Sequence, residues 1–327
     1  MTARRGAVAA FDVLTIGRVS VDLYPADSGV RLAEVRSFHR FLGGSATNVA
    51  VAAARYGRRS AVITKVGAEG FGPYVHAALR TFGVDDRYVG THPELLTPIV
   101  FCELYPPDRF PLIFYREPKA PDLEIGLDDV DLDVVRSAGV FWTTGTGLCE
   151  EPSRSTTLAA IAARDRRPHT VHDLDWRPMF WESEREARRW QLAALAEATA
   201  VVGNREEVAL VVGEGDPEEQ AGRLLDLGLE AAFLKLGPDG TLAATAHDTV
   251  RVPPLEVEVV NGLGAGDAFG GAVCHGLLAG WELERIARFA NAAGAIVATR
   301  LACADAMPTE AEVLDLLSRT EDPTHAG

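Results

Sequence analysis

Cysteine is scarce in this chain of 327 residues, and the four present, Cys102, Cys149, Cys274 and Cys303, form no CxxC pair. That spacing excludes a zinc ribbon and argues against a disulfide framework, so free thiols in a reducing cytoplasm are the expected state. Long apolar runs are missing as well. No segment approaches the roughly 20 residues needed to span a bilayer. In the opening MTARRGAVAAFDVLTIG, Asp12 interrupts the apolar stretch before a secretory core is long enough. Positive charge is in deficit, with 32 Lys and Arg against 47 Asp and Glu and a net charge of -15. Nucleic acid and anionic membrane surfaces are therefore disfavoured as partners. A small anion is not, because local basic groups bind it whatever the overall balance. The expectation is a soluble cytoplasmic protein.

With 47% hydrophobic residues, the chain is rich enough to bury a substantial core. Short β-rich runs recur at 11–19, 60–67, 138–145, 169–176, 198–204 and 230–237. Between them lie helical stretches at 45–57, 72–83, 153–165, 184–198 and 217–228. Strands alternating with amphipathic helices predict βαβ units and a mainly parallel sheet. Two segments break the rhythm. Residues 21–42 and 97–118 read as short strands joined by Pro, Asp and Gly turns, which suits a small separate sheet. No linker, low-complexity run or repeat divides the chain, so residues 1–327 are read as one domain carrying these two segments.

The densest glycine signal is NGLGAGDAF (261–269), which opens a helical run of small residues. No lysine follows Gly266, so it is not a GxxxxGK[ST] loop. Counted from Gly262 or Gly264, the last position of GxGxxG falls on Asp267 or Phe269, so it is not a dinucleotide fingerprint either. What remains is a helix N-terminus whose unpaired amides face an anion. An aspartate beside bound phosphate is repulsive unless it takes a proton from an attacking hydroxyl, the arrangement that phosphoryl transfer to an alcohol needs. The plainer alternative leaves Asp267 as a helix-dipole partner and the glycines as packing residues.

GAGD at 264–267 resembles the signature of the ribokinase-like, or PfkB, sugar kinases, and the likeness runs over residues 11–310. The resemblance implies a three-layer α/β/α domain with a mainly parallel sheet and a small β lid formed by 21–42 and 97–118. It implies Asp267 as catalytic base, with Gly264, Ala265 and Gly266 as the anion hole. Asp22 and GGSATN (43–48) look like the sugar-binding aspartate and GGxxxN, which assigns Asp22, Gly43, Gly44 and Asn48 to substrate. VGAEGFG (66–72) resembles a further family region, with Glu69 at its acidic position. NREE (204–207) resembles NxxE, placing Asn204 at the nucleotide and Glu207 near Mg²⁺, indirectly. KLGPDG (235–240) brings Lys235, Gly237 and Gly240 to the nucleotide, and Asn291 resembles the adenine-side helix. ATP and Mg²⁺ are the implied cofactors. Where the family usually reads DTxGAGD this chain has Asn261 and Gly262, so the monovalent cation that the aspartate helps hold in several relatives is in question.

Further stretches, among them TIGRVSVDLYP, FPLIFYRE and HDLDWRPMFW, resemble the inositol-catabolism branch of the family. That likeness implies phosphorylation of the C6 hydroxyl of 5-dehydro-2-deoxy-D-gluconate. The alternatives are 2-dehydro-3-deoxygluconate as substrate, or a sugar-binding regulator without catalysis. Arg116 and Arg177 offer cationic forks for a carboxylate, Arg116 from the lid and Arg177 from a strand end, although each also has an ordinary structural reading. Asp173 reads as a loop anchor. Apolar residues such as Phe101, Leu112 and Phe114 on a small sheet with open edges predict a homodimer through the lid.

Overall fold

Each central strand is apolar on both faces, the pattern of a parallel sheet covered on both sides. Alternate residues enter different layers. Val13, Val140 and Trp142 pack with the helices Ser45–Arg55, Ala265–Leu278 and Leu283–Ala298. Leu14, Ile16 and Phe141 turn the other way, toward Val135, Ile161 and Ala194 of Leu132–Ser137, Ser153–Ala163 and Glu184–Leu195. This computed structural model describes residues 11–321, so most of the opening segment read above for a leader lies outside the described residues.

The main sheet has ten strands. From one edge they run Thr249–Val252, Thr241–Thr245, Ala231–Lys235, Ala200–Asn204, Thr170–Asp173, Val140–Thr144, Val13–Ile16, Ser60–Gly67 and Val84–Asp85, and Val89–His92 also pairs with Ser60–Gly67. Pairing is parallel except for the two strands at the first edge, which join antiparallel. The strand order reverses at Val13–Ile16, which has Ser60–Gly67 on one side and Val140–Thr144 on the other. Ligands of such sheets bind beyond the carboxyl ends of the strands at that switch point. Among the described residues no helix is long and apolar enough to cross a membrane.

The run at 11–19 forms one strand, Val13–Ile16, and stops at its glycine. Gly17, at φ 141, turns the chain out of the main sheet, and Ser20–Pro25 enters a second one. That sheet has the order Phe38–Gly43, Ser20–Pro25, Ile99–Cys102, Leu112–Tyr115. The two irregular segments thus meet through the parallel pair of Ser20–Pro25 and Ile99–Cys102. Registered partners share a face. One face carries Asp22, Tyr24, Val100, Leu112 and Phe114, and the other carries Leu23, Phe38, Phe101, Ile113 and Tyr115.

Small residues decide how closely the two site helices approach. A Cβ on Gly271 would stand 2.3 Å from the Ala52 methyl, and one on Gly270 would stand 2.5 Å from the Trp142 ring. Close packing also applies at Gly264, where a Cβ would stand 2.9 Å from Cys303.

Candidate active site

Gly264 caps the helix Ala265–Leu278 with φ 84, a left-handed conformation that suits glycine, and no side chain caps the first turn. The first-turn amides are thus left open to a ligand. Asp267 follows on that turn, where Asn48 Nδ2 donates to its Oδ2 at 2.7 Å. Asn48 comes from the helix Ser45–Arg55, and its Oδ1 is buried without a partner. Burial pushes the Asp267 carboxyl up to about 6, against the Asn48 hydrogen bond, which lowers it.

Asp267, Asn48, Gly44 and Gly264 line one pocket with Arg18, Asp22, Tyr24, Arg177 and Cys303, roofed by Val100, Leu112 and Phe114 of the small sheet. Asp22 accepts from Ser20 Oγ at 2.7 Å, and burial raises its carboxyl to about 6 as well. Gly43 makes that position possible, because a Cβ there would overlap the Asp22 carboxylate at 2.1 Å. Sugar hydroxyls would meet two carboxylates and an unsatisfied amide oxygen here, which is the polar lining that such a ligand needs.

A third carboxylate, Asp175, sits at φ 26 just beyond Thr170–Asp173. Its Oδ2 accepts from Ser45 Oγ at 2.7 Å and Thr146 Oγ1 at 3.0 Å, while Arg177 reaches its Oδ1 at 3.1 Å. Burial alone would raise this group, but Arg177, Arg18 and the two hydroxyls prevail and hold it at about 2. Asp173 is raised by burial against the pull of Lys235. It accepts from the Asp175 amide at 3.3 Å, which matches the loop-anchor reading.

Arg116 is not brought to this pocket. Its Nη2 is bonded to Asp122 at 2.8 Å, with the two side chains 8% and 2% exposed, and its guanidinium lies over the Phe180 ring. It lines a neighbouring cavity with Glu117, Lys119 and Phe180. The strand Leu112–Tyr115 ends one residue earlier, and the chain carries Arg116 to the Asp122 carboxylate of Pro121–Glu124 instead of over the sugar.

The residues expected at the nucleotide lie mostly along the strand ends. Lys235 Nζ lies 3.3 Å from where a Cβ of Gly266 would be, beside the open helix N-terminus. Asp173 and Glu207 flank the ammonium at 3.7 and 4.0 Å. Asn204 and Glu207 cap their helix reciprocally: Glu207 N donates to Asn204 Oδ1 at 2.9 Å, and Asn204 N to Glu207 Oε2 at 2.6 Å. Gly237 and Gly240 shape the turn after Lys235. Asn291 donates to the Pro253 carbonyl at 2.8 Å and lines a separate pocket with Val252, Pro253 and Leu255.

Arg18, Ser45, Thr146 and Cys303 escape sequence reasoning. For Arg18 the sequence shows only an arginine shortly after a strand, and it is the sheet order that makes that strand the switch point. The meeting of Cys303 Sγ with Tyr24 Oη at 3.1 Å spans 279 positions and left no local trace.

Such a site, an aspartate at an open helix N-terminus between a pocket of carboxylates and amides and a lysine, is that of a carbohydrate kinase. The chain belongs to the pfkB family carbohydrate kinases, whose pattern spans residues 10–310. More particularly, it is 32% identical over 312 residues to the 5-dehydro-2-deoxygluconokinase of Shouchella clausii, covering 94% of this chain and 95% of that one. It is 30% identical over 320 residues to the enzyme of that name from Clostridium perfringens, covering 95% and 94%. A sugar kinase from Pyrococcus horikoshii, solved in complex with ATP, superposes with a TM-score of 0.77 at 27% identity over 93% of this chain and 97% of that one.

The electrostatics yield a direct expectation. Followed by carboxyl carbon NMR, Asp267 should titrate near pH 6, and Asn48→Ala should move its midpoint upward, because the lost hydrogen bond favours the ionised form. A midpoint near 4 in the parent, or a downward shift in the variant, would contradict this account of the site.

Proposed function

We propose that this chain transfers the γ-phosphoryl group of ATP to the C6 hydroxyl of 5-dehydro-2-deoxy-D-gluconate. The observation that carries the reading is Asp267, bonded to Asn48 between a pocket of hydroxyl partners and the open helix N-terminus beside Lys235. The names of the full-length relatives supply the substrate. In this reading the hydroxyl oxygen attacks the γ-phosphorus, the bond to ADP breaks, and the proton passes to the Asp267 carboxylate. First-turn amides at Ala265 and Gly266, with Lys235, oppose the charge that develops on the transferring group.

Among the described residues there is no cluster of three or more His, Cys, Asp or Glu suited to a metal cage. Glu207 commits its oxygens to the amides of Asn204 and Trp176, at 2.6 and 3.3 Å. That donor set fits Mg²⁺ carried on nucleotide phosphates, with Glu207 and Asp173 as partners through water. Bound there, the ion would neutralise phosphate charge. A reducing cytoplasm suits the four unpaired cysteines.

A coupled ADP-release assay with 5-dehydro-2-deoxygluconate, 2-dehydro-3-deoxygluconate, ribose and fructose should show the highest kcat/KM for the first. Asp267→Asn should lower kcat by about 10²–10⁴ with ATP binding kept. On the acid side, kcat/KM should fall below about pH 6, where a protonated Asp267 no longer accepts a proton. Preference for the second acid would reassign the substrate, and binding of the sugars without turnover would leave a regulator.

A monovalent cation does not fit at Asn261. The side chain is buried, its Nδ2 donates to the Leu301 carbonyl at 2.6 Å, and its Oδ1 accepts from Leu263 N at 3.0 Å. The amide itself ties the glycine loop to residue 301. Replacing K⁺ by tetramethylammonium should therefore change the rate less than about twofold, since no ion is needed to neutralise a carboxylate there. A large, K⁺-specific stimulation would overturn this.

The outer face of the small sheet supports self-association. Phe38, Phe101 and Tyr115 make edge-to-face contacts at 5.2 and 5.4 Å, and Ile113 and Tyr115 remain 42% and 60% exposed. Burying such a face and its open edges favours a homodimer. Light scattering at micromolar concentration should give twice the 35.0 kDa chain mass, and Tyr115→Glu should shift it to one chain. A monomeric parent would refute the assembly.

A further inference from the structure

Arg18 is a buried cation inside the candidate pocket. Only 7% exposed, it follows the strand Val13–Ile16 at the switch point and lines the pocket of Asp22, Asn48 and Asp267. Among the described residues its guanidinium makes no hydrogen bond, and Nε is fully buried without a partner. The nearest carboxylate oxygen, Asp175 Oδ2, is 3.8 Å from Nη2, beyond hydrogen-bonding distance, and that oxygen already accepts from Ser45 and Thr146. The Phe114 ring centroid lies 5.6 Å from its Cζ. A buried guanidinium with its donors unspent is costly unless a ligand completes it. Arg177 leans on the same Asp175, and its Nε is likewise unpaired. Two planar forks thus share one saturated carboxylate at the edge of a sugar pocket.

We propose that Arg18 is the specificity residue that binds the carboxylate of an acidic sugar, with Arg177 beside it and Asp175 positioning both. The assignment rests on the sugar-kinase reading of the pocket and replaces the role first expected of Arg116, which lines a different cavity and is ion-paired with Asp122 although its Nη1 is also buried without a partner. A fork and a carboxylate match in two parallel hydrogen bonds, which a neutral sugar does not offer.

The test compares the parent, Arg18→Gln and Arg18→Lys on 5-dehydro-2-deoxygluconate and on its neutral C1 amide, with ATP binding measured by calorimetry as the check of folding. Arg18→Gln should raise KM for the acid roughly 30-fold or more and leave KM for the amide within about threefold, because losing one member of a buried charge pair weakens only the charged ligand. Arg18→Lys should recover part of the loss, since it keeps the charge but not the fork. Equal losses on both sugars, or a fall confined to kcat on both, would overturn the proposal and move Arg18 to the fold or to the transferring phosphate. If the parent prefers 2-dehydro-3-deoxygluconate, the substrate reading fails while the same comparison, run on that acid and its amide, still decides Arg18. If the parent phosphorylates only neutral sugars, Arg18 has no carboxylate to read and the proposal falls. Should Arg18→Gln fail to bind ATP, Arg18→Lys carries the comparison, and an unchanged KM for the acid with that variant excludes bidentate recognition.

Discussion

Everything at the site depends on how closely two helices approach. Ser45–Arg55 and Ala265–Leu278 meet where Gly271 leaves no room for a Cβ beside Ala52, and this contact brings Asn48 within 2.7 Å of Asp267. The hydrogen bond sets both the direction and the charge of the carboxylate. Burial favours the neutral acid, Asn48 favours the anion, and the balance near 6 leaves a group ionised at neutral pH yet basic enough to accept a proton. A longer side chain at 271 would gain helix propensity of about 1 kcal/mol. It would also force the helices apart, which overpacked cores answer with losses of about 1–3 kcal/mol, and the Asn48 bond would lengthen with them.

Four buried carboxylates near the pocket are answered in different ways. Asp175 is answered by arginines and hydroxyls, Asp173 by Lys235, Asp267 by an amide, and Asp22 by a serine. Buried ions that lack such partners are expensive. The grading has a chemical result: Asp175 stays ionised throughout the physiological range and holds arginines, while Asp267 and Asp22 lie near the threshold of protonation. Of the raised carboxylates, Asp267 is the one that stands on the first turn of the open helix N-terminus.

Much of this was legible in the sequence because it is local. The strand runs, the glycine loop ending in Asp267 and the Asn204–Glu207 helix start are written in consecutive residues. The change of sheet after Gly17 was legible too, because the first β-rich run ends at that glycine and the next strands belong to a segment that breaks the helix-strand rhythm. Arg116, by contrast, was misplaced. Its spacing after FPLIFY gives the end of a strand, but whether it points at a sugar or at Asp122 depends on where Pro121–Glu124 packs. Arg18 was overlooked because a single arginine after a strand is unremarkable until the sheet order shows that strand to be the switch point.

The small sheet ties recognition to the surface of the molecule through the two-residue period of its strands. Leu112 and Phe114 close the pocket of Asp22 and Asp267, while Ile113 and Tyr115, between and beyond them, face outward. Shifting the register by one residue would exchange the two sets, so the pocket roof and the exposed apolar face are fixed together. Phe114 adds a second constraint, since its ring lies against both Arg18 and Phe180, the latter at 5.0 Å between centroids. Phe180 in turn lies beneath Arg116. The roof of the pocket is therefore flanked by two guanidinium groups, Arg18 on the inside and Arg116 on the outside. Any ligand that draws Arg18 toward a carboxylate must act on the same aromatic contact that seats the strand.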